Sequence, residues 1–166
     1  MLLASSVGDH AFYVYNTAKL NLVYMSRFIE QRIVWIEASQ GGHIYTALEG
    51  NVIVQWKKMN KVLEYVGHSK PIVKFIISSD FIFSLAQEGE FIIFNIRTAA
   101  IVRRRRFDCD FDVMLHPTTY INKLVFAGGN RIELWNIIDD TKVYSFSKLL
   151  QGNDFSASEA KVTCMV

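Results

Sequence analysis

An aromatic residue followed by a polar one closes an apolar run at four places: Tyr15-Asn16, Trp56-Lys57, Phe94-Asn95 and Trp135-Asn136. The steps between them are 41, 38 and 41 residues. A beat of about 40 residues that holds several short apolar stretches and ends on an aromatic marks one blade of a β-propeller. The repeat therefore fixes an all-β architecture before it says anything about function.

Each unit divides into strand-like pieces separated by polar turns. The first reads as Leu2 to Ala4, a turn at Gly8-Asp9, Phe12 to Tyr15 and Leu20 to Met25. The second gives Ile33 to Ile36, Ile44 to Leu48, Val52 to Trp56 and Val62 to Val66, with Glu49-Gly50-Asn51 as a tight turn. The third runs through Ile72 to Ile77, Phe81 to Leu85, Phe91 to Ile96 and Ala100 to Arg105, turning at Glu88-Gly89. The fourth runs through Val113 to Leu115, Leu124 to Ala127, Ile132 to Ile137 and Val143 to Phe146, turning at Gly128-Gly129-Asn130. Strict alternation is weak because blades pack on both faces, so inner strands read as nearly continuous apolar runs such as Phe91-Ile92-Ile93-Phe94.

Blades are expected over about 1–29, 30–68, 69–108 and 109–147, with a loop and the start of a fifth blade over 148–166. About four blades is the low end for a closed ring. The expectation is an incomplete portion of a larger propeller, whose bare blade faces would be an interface or an aggregation risk. With 51% apolar and 20% charged residues the chain can bury a core, and two prolines with no linker-like run argue for one continuous array.

A formal net charge of +2 does not by itself call for nucleic acid. Cys109 and Cys164 stand apart from any histidine cluster, so neither a disulfide framework nor a metal site is expected. No stretch reaches the length of a membrane span and the opening residues lack a secretory pattern, so membrane and secreted classes are disfavoured.

Gly67-His68 lies 27 residues before Phe94-Asn95, the Gly-His to Trp-Asp spacing of WD repeats. In such repeats the histidine is held by an Asp of the turn between inner strands and by the strand aromatic. Here the matching turn carries Glu88 and the aromatic is Phe94, which puts a network of that kind in doubt for this blade.

Longer phrases resemble the first propeller of the WD-repeat protein thirty-six family. They are Ser6-Val7-Gly8 through Tyr15-Asn16, Lys19 to Val23, Gly50-Asn51-Val52, and above all Leu115-His116-Pro117-Thr118-Thr119-Tyr120-Ile121-Asn122-Lys123-Leu124 followed by Ile132-Glu133-Leu134-Trp135-Asn136. The resemblance implies a non-catalytic scaffold subunit of the small-subunit processome in the nucleolus, supporting early 18S rRNA precursor processing. Its implied partners are other WD-repeat processome subunits, with contact to precursor rRNA or U3 snoRNA, and no membrane, small-molecule substrate or cofactor. A different class, a WD-repeat adaptor that binds short peptides across its central channel, would show peptide partners and no RNA.

The sharp charge cluster is Arg103-Arg104-Arg105-Arg106, on what should be an outermost strand. Alternation puts Arg103 and Arg105 on one face and Arg104 and Arg106 on the other. Such a run can guard a strand edge against sheet pairing, or present guanidiniums to RNA phosphates or acidic partners. Lys57, Lys58 and Lys61 read as a solvated turn. None of the histidines at 10, 43, 68 and 116 has a sequence neighbour suited to catalysis, and no enzymatic activity is expected. Tyr13, Tyr15, Trp35, Trp56, Phe91, Phe94 and Trp135 read as core aromatics and not as platforms for bases.

Overall fold

The computed structural model describes residues 2–6, 10–39, 41–117, 119–129 and 131–147, and strands are its only regular elements there. The turn expected at Gly8-Asp9, and the loop and fifth-blade strand expected over 148–166, lie outside the described residues. Four antiparallel meanders follow one another along the chain. The first holds β1 (Leu2–Ser6), β2 (Ala11–Tyr15) and β3 (Leu22–Met25). The second holds β4 (Ile33–Ala38), β5 (Ile44–Leu48), β6 (Val52–Lys57) and β7 (Asn60–Val66). The third holds β8 (Ile72–Ser78), β9 (Phe81–Ala86), β10 (Glu90–Asn95) and β11 (Ile101–Arg106). The fourth holds β12 (Val113–Leu115), β13 (Lys123–Gly128), β14 (Arg131–Asn136) and β15 (Thr141–Ser147). The first strands of successive sheets pack side by side, β1 on β4, β4 on β8 and β8 on β12. These sheets are blades of a propeller.

The recurring aromatic-polar pair has a backbone cause. In every blade the register slips just before the aromatic, at Val14/Tyr15, Gln55/Trp56, Ile93/Phe94 and Leu134/Trp135, which adds a bulge and bends the outer strand. The polar partner then closes the turn. Asn16 Oδ1 accepts from the amides of Ala18 and Lys19, Asn95 Oδ1 from Arg97 and Thr98, and Asn136 Oδ1 from Ile138 and Asp139. This is the side-chain mimicry of a backbone turn that asparagine performs best. Four residues on, Leu20, Ala99 and Asp140 take a left-handed φ of 51°, 57° and 57° to re-enter the outer strand. Blade two has Lys57 in place of asparagine and makes a two-residue turn instead, with Lys58 at φ 56° and Lys57 paired to Asn60.

The core lies in the seams between blades. Phe12, Val14, Ile33, Ile44, Val54 and Trp56 fill the first, Tyr45, Tyr65, Phe75, Ile92 and Phe94 the second, and Phe91, Phe107, Phe111, Leu124 and Phe126 the third. Inner strands β5 and β10 are buried almost throughout, which is why their sequences lack alternation. Each fully buried ring or branched side chain contributes roughly 1.5–3 kcal/mol, so the seams carry most of the cohesion.

Candidate interaction surface

Blade three carries a complete polar network, contrary to the doubt raised by Glu88. The residue that meets His68 is Glu90, the first residue of β10. Its Oε2 lies 3.0 Å from His68 Nδ1 and accepts from the Ser69 amide at 2.9 Å. His68 Nε2 lies 2.8 Å from Ser84 Oγ, and its ring meets Phe94 edge-on at 6.2 Å. The physical reason is the turn. Glu88 and Gly89 both take left-handed φ, 57° and 68°, which points Glu88 away from the seam, toward Lys70 and Arg106. Gly89 is obligatory here, because a Cβ would lie 2.8 Å from the carbonyl oxygens of Phe107 and Cys109.

Burial holds His68 below the usual histidine range despite the neighbouring carboxylate, so it is neutral at neutral pH. The consistent tautomer donates from Nδ1–H to Glu90 and accepts at Nε2 from the Ser84 hydroxyl. For Glu90 burial works upward, but the bonds from His68 and Ser69 outweigh it and hold the carboxyl below its ordinary range. The same positions diverge in the other blades. In blade two Trp56 Nε1 donates directly to Thr46 Oγ1 at 2.9 Å, with Thr46 at the register of Ser84. In blade four Phe126 stands at that register, packed on Phe107 at 4.8 Å, and Trp135 Nε1 donates to the buried Glu133 at 2.8 Å. Tyr15 is half-buried at the head of the first outer turn.

The four arginines of β11 divide between two faces as alternation requires. Arg103 donates to the carbonyls of Ile137 and Ile138 at 2.6 and 3.2 Å, and Arg105 to Asp140 Oδ2 at 2.8 Å and its carbonyl at 3.0 Å. Both therefore grip the last turn of blade four. Arg105 also lies over the Trp135 ring, 4.2 Å from its centroid. On the other face Arg104 donates to the Gly67 carbonyl at 2.6 Å and Arg106 to Glu88 at 2.6 Å. Arg106 is the most exposed of the four, with 67% of its side chain accessible. Lys61, from the weaker basic group, pairs with Glu64 at 2.7 Å.

A cleft of about 880 Å³ opens between blades two and three at the end of the sheets where β4 turns into β5 and β8 into β9. Its polar lining includes Ser39, Gln55, Ser78 and Asp80. Tyr65 spans the seam beside it, with its hydroxyl 3.0 Å from Gln55 Oε1 and 2.7 Å from the Ile96 carbonyl. Nothing in the repeat pattern predicted this cleft. Its one sequence signal is Gln55, a polar residue inside the apolar run Val52-Ile53-Val54-Gln55-Trp56. Two of the remaining histidines, His10 and His116, do structural work. His10 bonds the Ile29 carbonyl at 3.0 Å, and His116 bonds the Ile121 carbonyl at 3.0 Å while stacking on Phe83. Among the described residues no three His, Cys, Asp or Glu side chains gather where they could hold a metal ion.

Comparison with known proteins matches residues 3–166 to the family model described as WDR36/Utp21 first beta-propeller. A curated relative, the U3 small nucleolar RNA-associated protein 21 homolog of Schizosaccharomyces pombe, is 23% identical over 174 residues. The match covers 97% of this chain and 18% of that protein, so the chain spans less than a fifth of its relative's length. Among solved structures, a chain of the mitotic checkpoint complex superposes with a TM-score of 0.73 at 13% identity, covering 84% of this chain and 45% of that one. The WD40 beta propeller domain of Doa1 gives 0.70 at 12% identity, covering 83% and 47%. At such identities the structural matches speak to the fold, which is a WD-repeat propeller.

Proposed function

The chain belongs to the WDR36/Utp21 first beta-propeller family, and from that membership we propose that it is scaffold of the small-subunit processome. In this reading it has no catalytic role. It supports early processing of the 18S rRNA precursor and assembly of the small ribosomal subunit, in the nucleolus, by holding other WD-repeat subunits. The family match along nearly the whole chain is the observation that carries it. The geometry is compatible, since arginine clamps and aromatic seams lock the blades into a stiff platform that presents exposed turns to partners.

The arginine run contributes unequally to this role. Arg103 and Arg105 are committed to blade four, and what remains for RNA phosphates or an acidic partner is Arg106 with the outer edge of Arg104. The test is to tag the protein in cells, crosslink, purify, and identify the bound RNA and proteins together. Recovery of U3 snoRNA, precursor 18S rRNA and other nucleolar WD-repeat subunits is expected. Recovery of cytoplasmic proteins without RNA would overturn the reading.

A further inference from the structure

We propose that Lys70, Arg104 and Arg106 form a seat for the phosphate backbone of single-stranded RNA, and that Glu88 occupies this seat as a built-in competitor which RNA displaces. The inference deepens the processome reading and rests on it for the choice of RNA over DNA. Arg104 and Arg106 share one face of β11, and Lys70 enters from the connection between β7 and β8. With Ser69 and Glu90 they line a hollow of about 410 Å³. Glu90 is committed to His68 and the Ser69 amide. The exposed counter-charge is Glu88, which accepts from Arg106 at Oε2, 2.6 Å away, and from Lys70 at Oε1. One carboxylate thus joins cations from two separate segments, each oxygen taking one, as a phosphate would with two of its oxygens.

The hold is open to exchange. The Glu88 side chain is 47% accessible, and ion pairs at that exposure add little to stability. The bond from Lys70, with the charges of Lys70 and Arg106, keeps its carboxyl below the ordinary range, so it is ionised and in place at neutral pH. The turn itself gives no reason for a glutamate. Glu88 is the first central residue of a two-residue turn at φ 57°, a place that favours asparagine or aspartate. The occupant in place also selects among anions. An acidic peptide would exchange one carboxylate for another, whereas RNA brings a run of phosphates, releases condensed counterions and can set its next phosphate toward the half-exposed Arg104. Beyond Arg106 a second hollow is lined by Asp108 and Asp110 and repels phosphate, which directs the strand along the Lys70 side.

The experiment measures binding of a fluorescent oligouridine to the purified protein by anisotropy across a salt series, each variant being first checked for wild-type melting. Glu88→Gln bares the seat and is expected to tighten binding about threefold or more. Glu64→Gln makes the same charge change at the exposed Lys61–Glu64 pair of blade two and is expected to leave affinity unchanged. Lys70→Ala combined with Arg106→Ala is expected to weaken binding about tenfold or more and to flatten the slope of log affinity against log salt by about 1.4, two contacts at roughly 0.7 each. Lys57→Ala combined with Lys61→Ala is the matched control and keeps the slope. Wild-type affinity in Glu88→Gln, an unchanged slope in the Lys70 and Arg106 variant, or no binding by any form would overturn the proposal, even where U3 snoRNA is recovered from cells. So would a polyglutamate peptide that competes as well as unlabelled oligouridine. The expected pattern in vitro, with no RNA recovered from cells, would uphold the phosphate seat and overturn the processome reading alone.

Discussion

Glu90→Ala is the most informative single perturbation, because Glu90 ties the loop ahead of blade three to its inner strands. The substitution removes the acceptor of two short bonds, from His68 Nδ1 at 3.0 Å and the Ser69 amide at 2.9 Å. Hydrogen bonds to an ionised group are worth roughly 1.5–3 kcal/mol each. Contacts from Ser69 Oγ at 3.4 Å and Arg104 at 3.5 Å are too long to add much. The two losses are not equal. The His68 side chain is 1% exposed, so its freed N–H stays dry, whereas Ser69 is an exposed residue whose amide can be rehydrated once the carboxylate is gone. We therefore expect a loss of about 3 kcal/mol at neutral pH, as for one lost bond to an ionised group together with a buried donor left unpaired. Urea unfolding followed by tryptophan fluorescence measures it.

The pH dependence gives an independent check. The folded-state pKa of Glu90 lies below its ordinary 4.5, so its contribution is complete above that pH and is lost as pH falls through the folded value. His68, held below 6.5, likewise costs the folded state stability as pH falls from 6.5 toward its folded value. Between those two windows the gap between wild type and Glu90→Ala holds or grows, since only the wild type has a carboxylate beside a protonated His68. Below the folded value of Glu90 the gap closes. A loss under about 1 kcal/mol at neutral pH, or a gap that persists undiminished once Glu90 is protonated, would refute the reasoning.

Arg105→Ala should cost about 1–2 kcal/mol by losing both the Asp140 bonds and the stack on Trp135, and Arg105→Lys should recover less than half, because an ammonium offers neither fork nor plane. Thermal unfolding of the three forms checks the order. Phe126→Ala opens a void among Phe91, Phe107 and Phe111 and should cost about 3–5 kcal/mol in the same assay. Gly128→Ala places a Cβ 2.2 Å from the Asp110 carbonyl oxygen, so the backbone of blade four must shift. Amide exchange over Val113–Leu115 should accelerate in that variant while Val52–Lys57 in blade two keeps its protection.

The repeat made the fold legible because it is written in backbone chemistry. The asparagines of three blades cap the same turn, and the aromatics follow the same bulge, so a step near 40 residues reports geometry directly. Strand ends shifted by a residue or two, as at β11, read as Ala100 to Arg105 and observed at Ile101–Arg106. The face assignment of the arginines followed from strand alternation alone, but their partners did not, since Ile137 and Asp140 lie more than thirty residues away. Glu88 was the wrong carboxylate for His68 because the turn type, and not the sequence distance, decides which side chain faces inward. Gln55 and Glu133 were visible as polar breaks in apolar strands. Their roles depend on Tyr65 in one case and on Trp135 and Lys142 in the other, which only the tertiary arrangement supplies.

The alternating grip of β11 also bears on how such arrays can be rebuilt. Moving the strand by one residue would carry Arg104 and Arg106 to the face of the blade-four turn and Arg103 and Arg105 to the face of Gly67 and Glu88, so every bond the four guanidiniums now make would break and the stack on Trp135 would be lost. Blade two has Asn60, Val62 and Glu64 along its outer strand and could not replace blade three in a duplicated or shuffled array without loosening both adjoining seams. The units share a shape, yet each is fitted to its own place in the order.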